Sequence, residues 1–154
     1  MDFAGVLDTV SRFLDSRGFR YALVGAFALS AHGLSRATQD LDLAVDAGAR
    51  RDLVSLFESL GYETLYCSEG YSNHVHPLSG LGRVDCIYVA EPTATSLFES
   101  ATAAPIFGRP IRVPKPAHEQ TGGQRTEAGD KIEGSKCAPA LCVGIKVCHQ
   151  CALR

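Results

Sequence analysis

The pattern that decides the fold lies in residues 21–46, YALVGAFALSAHGLSRATQDLDLAVD. The stretch opens with an apolar run that stops at Gly25 and is too short for a helix. Small residues then predict a helix over 26–32, and Gly33 follows at the position where a left-handed residue commonly ends a helix. From 40 to 45 polar and apolar residues alternate, which is the period of a β-strand. The order strand, glycine turn, helix, strand predicts an α/β protein.

Two acidic residues, Asp40 and Asp42, lie two positions apart in the second predicted strand. Side chains two apart share a strand face, so both carboxylates point the same way, while Leu41 and Leu43 point into the core. Paired carboxylates repel each other unless a positive charge lies between them. Taken alone, this pattern is typical of a solvated acidic strand end. It also suits Mg²⁺, which prefers carboxylate oxygens and leaves room for phosphate.

The glycine turn favours the metal interpretation of the acidic pair. A helix that begins just after Gly25 offers free backbone N–H groups and the positive end of a helix dipole. Both features suit a phosphate group. A phosphate-binding turn and metal-binding carboxylates together indicate a nucleoside triphosphate as the ligand.

A third acidic residue, Asp85, lies in a predicted strand over 83–89. The nearly continuous apolar character of this segment predicts a central strand covered on both faces. A buried carboxylate without a partner is costly, so such groups are usually hydrogen-bonded, paired or bound to metal. Two interpretations stay open for Asp85: satisfaction by Arg83 or a turn N–H, or a role in a functional site.

The acidic pair belongs to a longer motif that resembles the nucleotidyltransferase superfamily with a DNA polymerase beta-like palm. The matching residues are Gly25, Ala26, Arg36, Thr38, Asp40 and Asp42. More narrowly, the pattern is similar to the small bacterial AbiEii-type toxin and antibiotic-modifying nucleotidyltransferases, and the match covers about residues 1–116. Relatives carry Gly or Ser where this chain has Ala26, so a serine hydroxyl contact to phosphate is absent while the backbone N–H remains.

The resemblance implies an α/β (α+β) palm with a mixed, mostly antiparallel sheet and helices packed on one side. It also implies a site with two Mg²⁺ ions, in which Asp85 is the third acidic residue on the strand beside the acidic pair. The implied metal and catalytic residues are Asp40, Asp42 and Asp85, and the implied nucleotide-binding residues are Gly25, Ala26, Arg36 and Thr38. For Arg36, contact with a triphosphate and simple solvent exposure are both open.

The implied activity is transfer of a nucleoside monophosphate from a triphosphate to a hydroxyl acceptor. Acceptors across the superfamily include tRNA, proteins and small molecules, and a toxin role would add an antitoxin protein as a partner. The alternative is a catalytically inactive or truncated remnant that acts as a nucleotide-binding or protein-interaction module.

Composition places the chain among ordinary single-domain proteins. It has 154 residues, 45% of them apolar and 21% charged, with a net charge of −2. Such a balance excludes a broad electrostatic footprint for nucleic acid or membrane. The sequence has no apolar run of membrane-spanning length and no basic, apolar leader, which predicts a cytoplasmic protein.

The composition changes beyond the nucleotidyltransferase core of residues 1–116. Residues 117–154 form a Gly- and Cys-rich tail with no apolar period, and four of the six cysteines lie in it. Disorder, a frameshift and a premature end are all consistent with this texture. A zinc site built from these cysteines is the competing interpretation, although only Cys148 and Cys151 have a usual ligand spacing.

Other segments have simpler interpretations. Spacing and breakers predict a helix ending at Gly18, helices over 51–60 and 95–102, strands over 63–67 and 71–76, and a hairpin over 106–113 around residues 108–110. His32 is predicted to pack or to cap its helix. His74 and His76 share a strand face, and a solvated face is the predicted reason rather than a metal site.

Overall fold

The structure, a computed structural model, describes residues 2–34 and 37–115. Within these residues the helices are α1 (Phe3–Arg17), α2 (Gly25–Ala31), α3 (Arg50–Ser59) and α4 (Thr93–Ser100). The strands are β1 (Tyr21–Leu23), β2 (Asp40–Asp46), β3 (Glu63–Cys67), β4 (Tyr71–Val75), β5 (Arg83–Val89), β6 (Thr102–Ile106) and β7 (Arg109–Val113). No helix in this part of the chain is both long and apolar enough to pass through a membrane.

Five strands form the main sheet in the order β1-β2-β5-β4-β3. β2 and β5 run parallel, and the other neighbours in this sheet are antiparallel. β6 and β7 form a separate antiparallel hairpin. The predicted mixed, mostly antiparallel sheet is therefore confirmed.

The core lies between one face of this sheet and helices α1 and α3. Apolar residues of α1 recur at three- and four-residue spacing, which places them along one side of the helix. In β2 and β5, alternate residues point into the same core. The main contributors are Val6, Leu7, Val10 and Leu14 of α1, Leu53 and Phe57 of α3, and Leu41, Leu43, Val45, Val84, Cys86 and Tyr88 of the sheet. Full burial of each large aliphatic side chain contributes about 2 kcal/mol.

The sequence predicts that β5 is a central strand covered on both faces, and only the first part of this prediction is correct. The strand is internal to the sheet, but its exposure alternates along the chain, and Ile87 is 40% exposed. The prediction of cover on both faces is wrong, because only Val84, Cys86 and Tyr88 point to the helical side. The opposite side is open enough at β5 to hold polar side chains.

The hairpin at residues 102–113 is present, but its turn lies earlier than the sequence predicts. Ile106 pairs with Arg109, so the loop consists of Phe107 and Gly108 alone. Both loop residues have positive φ, 49° and 76°. Two-residue hairpin loops need that backbone conformation to match the strand twist, which explains the glycine. The strand begins at Thr102, so the preceding helix ends at Ser100.

His74 shows where the solvated-face prediction fails. Its side chain is fully buried, and its ring stacks on Phe57 with centroids 4.4 Å apart. Nε2 lies 2.8 Å from the Ser72 hydroxyl and Nδ1 lies 3.1 Å from the Thr64 hydroxyl. Because both ring nitrogens have hydroxyl partners, a histidine is accommodated on the core side of β4.

We expect His74→Ala to lower the free energy of unfolding by about 3 kcal/mol, since it leaves a cavity and removes one hydrogen-bond partner from each of the Ser72 and Thr64 hydroxyls. Urea denaturation at pH 7.5 measures the change. The matched control is His32→Ala at the exposed end of α2, with an expected loss below about 1 kcal/mol. Equal losses in the two variants would mean that the buried hydroxyl network adds nothing to stability.

Candidate active site

The three predicted acidic residues lie on one face of the sheet, the side opposite the main core. In the parallel pairing of β2 and β5, Asp42 is directly beside Asp85, and Asp40 is beside Arg83. Directly paired residues point to the same side, and residues two apart in a strand do so as well. We call this surface of Asp40, Asp42 and Asp85 the acidic face.

Gly25 brings the start of α2 against the acidic face. Pairing of β1 with β2 continues to Val24, whose N–H donates to the Asp42 carbonyl at 3.0 Å. Gly25 then adopts φ +67°, and a Cβ there would lie only 2.7 Å from Asp42 Cγ. A glycine is therefore required twice, for its backbone conformation and for the space that the carboxylate occupies. The Asp42 side chain thus lies at the beginning of α2.

The electrostatic environment of Asp42 opposes its ionised form. Burial and then the negative charges of Asp85 and Asp40 together raise the pKa of the Asp42 carboxyl to about 6, while the charge of Arg83 opposes the shift. Like charges close together in a partly buried place are costly unless a cation is present. The acidic face is therefore electrostatically suited to a cation.

Asp85 is held by two donors from neighbouring strand positions. The Arg83 Nε–H donates to Asp85 Oδ1 at 3.1 Å, so Arg83 is the partner among those that the sequence left open for this carboxylate. The Asn73 amide Nδ2–H donates to the same oxygen. The two interpretations of Asp85 are thus compatible, since the residue is paired with Arg83 and also lies beside Asp42.

The other predicted nucleotide-binding residues have different surroundings. Ala26 follows Gly25 in the first turn of α2. The Thr38 hydroxyl lies 3.2 Å from both the N–H and the carbonyl oxygen of Asp40, so it fixes the backbone at the start of β2. Arg36 lies outside the described residues, and its role stays a prediction.

Of the two roles that the sequence predicts for His32, packing or capping, the structure shows capping. It is the C-terminal capping residue of α2, and Gly33 follows with φ +82°. The His32 Nε2 lies 3.1 Å from the Pro114 carbonyl oxygen. This contact joins the end of α2 to the segment after β7.

Asn73 is the residue that sequence analysis missed. It is 4% exposed and pairs with Asp85 across the antiparallel β4 and β5. Its Nδ2 also lies 3.4 Å from the Tyr71 hydroxyl. A polar residue in a predicted strand is a weak signal, because its cross-strand partner depends on a register that the sequence does not specify.

The donor chemistry of the acidic face fits a hard cation. Asp40, Asp42 and Asp85 supply carboxylate oxygens, the ligands that Mg²⁺ prefers. In residues 2–34 and 37–115, no three acidic, histidine or cysteine side chains are close enough to count as a ready-made metal site. The cysteines of the predicted zinc site in the tail lie outside the described residues.

Comparisons with known proteins identify the fold. No family model matches the sequence, and no curated protein matches it. Among solved structures, the lincomycin-bound lincosamide antibiotic adenylyltransferase LnuA matches with a TM-score of 0.57 and 14% identity over 79% of this chain and 87% of that one. The antibiotic-resistance factor ANT(2'')-Ia matches with a TM-score of 0.56 and 21% identity. The fold is that of the antibiotic nucleotidyltransferases.

The structural matches cover most of this chain and show its fold, and they do not show which reaction it catalyses. The match to ANT(2'')-Ia covers 74% of this chain and 66% of that one, so the chain spans slightly less than two thirds of that protein. A second ANT(2'')-Ia structure, in complex with adenylyl-2''-tobramycin, matches with a TM-score of 0.56 and 20% identity over 72% and 68% of the two chains. The fold implied by the sequence motif is confirmed.

Proposed function

We propose that this protein is a Mg²⁺-dependent nucleotidyltransferase that moves a nucleoside monophosphate from a triphosphate to a hydroxyl acceptor. The observation that carries the proposal is the position of Asp42, which lies against the Gly25 turn and directly beside Asp85. Carboxylate oxygens that suit Mg²⁺ and backbone N–H groups that suit phosphate are therefore close together. This combination suits a magnesium–triphosphate complex.

Asp40, Asp42 and Asp85 are the proposed ligands of two Mg²⁺ ions. When bound, such ions offset the charge of a triphosphate and make the acceptor hydroxyl a better nucleophile. The raised pKa of Asp42 supports this assignment, because a nearby cation favours the ionised carboxylate that burial and the other acids disfavour. The three carboxylates supply negative charge, and a bound cation would offset it.

The proposed chemistry is a displacement at the α-phosphorus. The acceptor oxygen forms a bond to that phosphorus while the bond to the bridging oxygen of pyrophosphate breaks, and pyrophosphate leaves with the bonding electrons. Asp85 takes the hydroxyl proton through the oxygen that does not bind Asn73 and Arg83. The N–H groups of Gly25 and Ala26 hold the phosphates, which is a positioning role.

Arg36 and Thr38 remain proposed nucleotide-binding residues with different contributions. Arg36, four positions before Asp40 in the sequence, would neutralise phosphate charge. The Thr38 hydroxyl already contacts the backbone of Asp40, so its contribution is to orient the first acidic residue.

A small hydroxylated molecule is the proposed acceptor. LnuA is solved with lincomycin and ANT(2'')-Ia with adenylyl-2''-tobramycin, which makes antibiotics the first compounds to assay. tRNA and protein hydroxyls are the other acceptors to include. A toxin role with an antitoxin partner rests on the motif resemblance alone.

The direct test is transfer of label from α-³²P nucleoside triphosphates to a panel of acceptors that includes lincomycin, tobramycin and tRNA. We expect labelled acceptor and free pyrophosphate with Mg²⁺, and a decrease of about a hundredfold or more when EDTA removes the metal. Asp52→Asn, which removes an exposed carboxylate paired with Arg17, is the control and should keep full activity.

Binding assays separate the proposed enzyme from the inactive module. Calorimetry with Mg²⁺ and a non-hydrolysable triphosphate should give binding that disappears without metal. Binding in the absence of any transfer would favour the nucleotide-binding remnant. A protein that neither binds triphosphate nor transfers label would contradict both functions.

A further inference from the structure

We infer that Asn73 is a positioning residue that orients Asp85 for the chemistry of the acidic face. This inference rests on the proposed nucleotide transfer and adds a residue outside the motif. The Asn73 amide donates to Asp85 Oδ1, and the two residues face each other across β4 and β5. Cross-strand partners of this kind lie about 5 Å apart at Cβ, so the contact is built into the sheet.

Burial makes Asn73 suitable for fixing an orientation. At 4% exposure its amide has little access to water and needs partners within the protein. The Asp85 carboxylate and the Tyr71 hydroxyl, 3.4 Å from Nδ2, are those partners. An amide packed in this way has few alternative rotamers, so the carboxylate that it binds is held as well.

Arg83 contacts the same oxygen but is held less firmly. Its side chain is 44% exposed, whereas that of Asp85 is 14% exposed. An ion pair with a solvent-exposed partner is screened and costs side-chain entropy, so it contributes little to orientation. Asn73 is therefore the donor that sets the direction of Asp85, and Arg83 adds charge.

Both donors bind Oδ1, which leaves the second oxygen of Asp85 for a cation or an acceptor proton. At position 73, a neutral amide also suits the site better than a second basic side chain beside Arg83 would. It directs the carboxylate without neutralising the negative charge that a cation requires. An aspartate at position 73 would have the same shape but no donor, and would add a fourth carboxylate beside the site.

The test compares Asn73→Ala, Asn73→Asp, Asp85→Asn and the double variant Asn73→Ala/Asp85→Asn with the wild type. The matched control is Val75→Ala, two residues along the same face of β4 and without a polar contact to Asp85. For Asn73→Ala we expect kcat to fall about 10- to 100-fold, with KM for the triphosphate unchanged within about twofold. Val75→Ala should keep the wild-type kcat, and Asn73→Asp should lose at least as much as Asn73→Ala.

Mn²⁺ titration in the absence of substrate gives a second readout that does not depend on turnover. We expect about tenfold weaker Mn²⁺ binding in Asn73→Ala and no change in Val75→Ala. In the Asp85→Asn background, Asn73→Ala should cause no further loss of kcat, because its effect passes through Asp85. Asn73→Asp is isosteric with the wild type, so it keeps the test informative if the alanine variant does not fold.

Two results would overturn this inference while leaving the proposed function intact. In the first, Asp85→Asn is inactive, but Asn73→Ala and Asn73→Asp both keep the wild-type kcat and the wild-type affinity for Mn²⁺. The other is an equal fractional loss from Asn73→Ala with and without Asp85. A wild-type protein that neither binds Mn²⁺ nor transfers nucleotide would refute the proposed function, and the inference with it.

Discussion

Asp42→Asn should reduce nucleotide transfer by about a thousandfold or more at saturating triphosphate and Mg²⁺. Asp42 lies between the other parts of the site, against Gly25 on one side and beside Asp85 on the other. An asparagine keeps the shape but carries no charge to bind the cation or to offset its positive field. Initial rates with labelled triphosphate, measured over a range of Mg²⁺ concentrations, test this expectation.

The same variant should be more stable than the wild type at pH 8. The pKa of the Asp42 carboxyl rises from 3.8 to about 6, chiefly through burial and then through Asp85 and Asp40. The folded state therefore holds this proton more tightly than the unfolded state. The resulting stabilisation is fully present below pH 3.8 and is lost as the pH rises through about 6. The part of this effect that survives solvent screening is about 1 kcal/mol.

Urea denaturation of both proteins at pH 5 and pH 8, without divalent metal, measures this difference. The Asp42→Asn variant should gain about 1 kcal/mol over the wild type at pH 8 and less at pH 5. Asp52→Asn serves as the control for simple loss of negative charge and should show no such pH dependence. An active Asp42→Asn enzyme would refute the metal assignment, whatever its stability.

The positions of Asp40 and Asp42 within the site could be predicted from the local sequence pattern. The alternation over 40–45 is enough to place Asp40 and Asp42 on one strand face and Leu41 and Leu43 on the other. The position of Asp85 beside Asp42 depends instead on parallel pairing of two strands, in which the paired residues Asp42 and Asp85 lie 43 positions apart in the chain. That neighbour was expected only through the family resemblance.

Residues whose environment depends on sheet packing were predicted less well. A single apolar strand does not reveal whether one or both faces are covered, so the exposure of Ile87 was missed. His74 was placed on a solvated face because the Thr64 hydroxyl and the Phe57 ring that cover it are brought there only by the pairing of β3 with β4 and by the packing of α3. Asn73 was missed for the same reason, since its partner is set by register.

Gly25→Ala should cause the second large effect, a loss of transfer of about a hundredfold or more. A Cβ at this position would lie 2.7 Å from Asp42 Cγ and 2.9 Å from Asp42 Cβ, so the aspartate must move. Displacement of that carboxylate by about 1 Å misaligns the acidic face with the start of α2. The positive φ adds a backbone cost of about 1 kcal/mol for any residue with a Cβ. Kinetic assays and thermal denaturation of the variant measure the two consequences separately.

Gly33→Ala is the control that separates backbone strain from collision, because it lies at the other end of the same helix. Its φ is +82°, but a Cβ there would have no neighbour within 4 Å. Both substitutions should therefore cost about 1 kcal/mol of stability through backbone strain, and only Gly25→Ala should add the cost of the collision with Asp42 and lose activity. In an Asp42→Asn background the Gly25→Ala change should add little further loss of transfer, since the carboxylate that it displaces is already gone. Similar activity in Gly25→Ala and Gly33→Ala would mean that close contact between the glycine turn and Asp42 is not needed for nucleotide transfer.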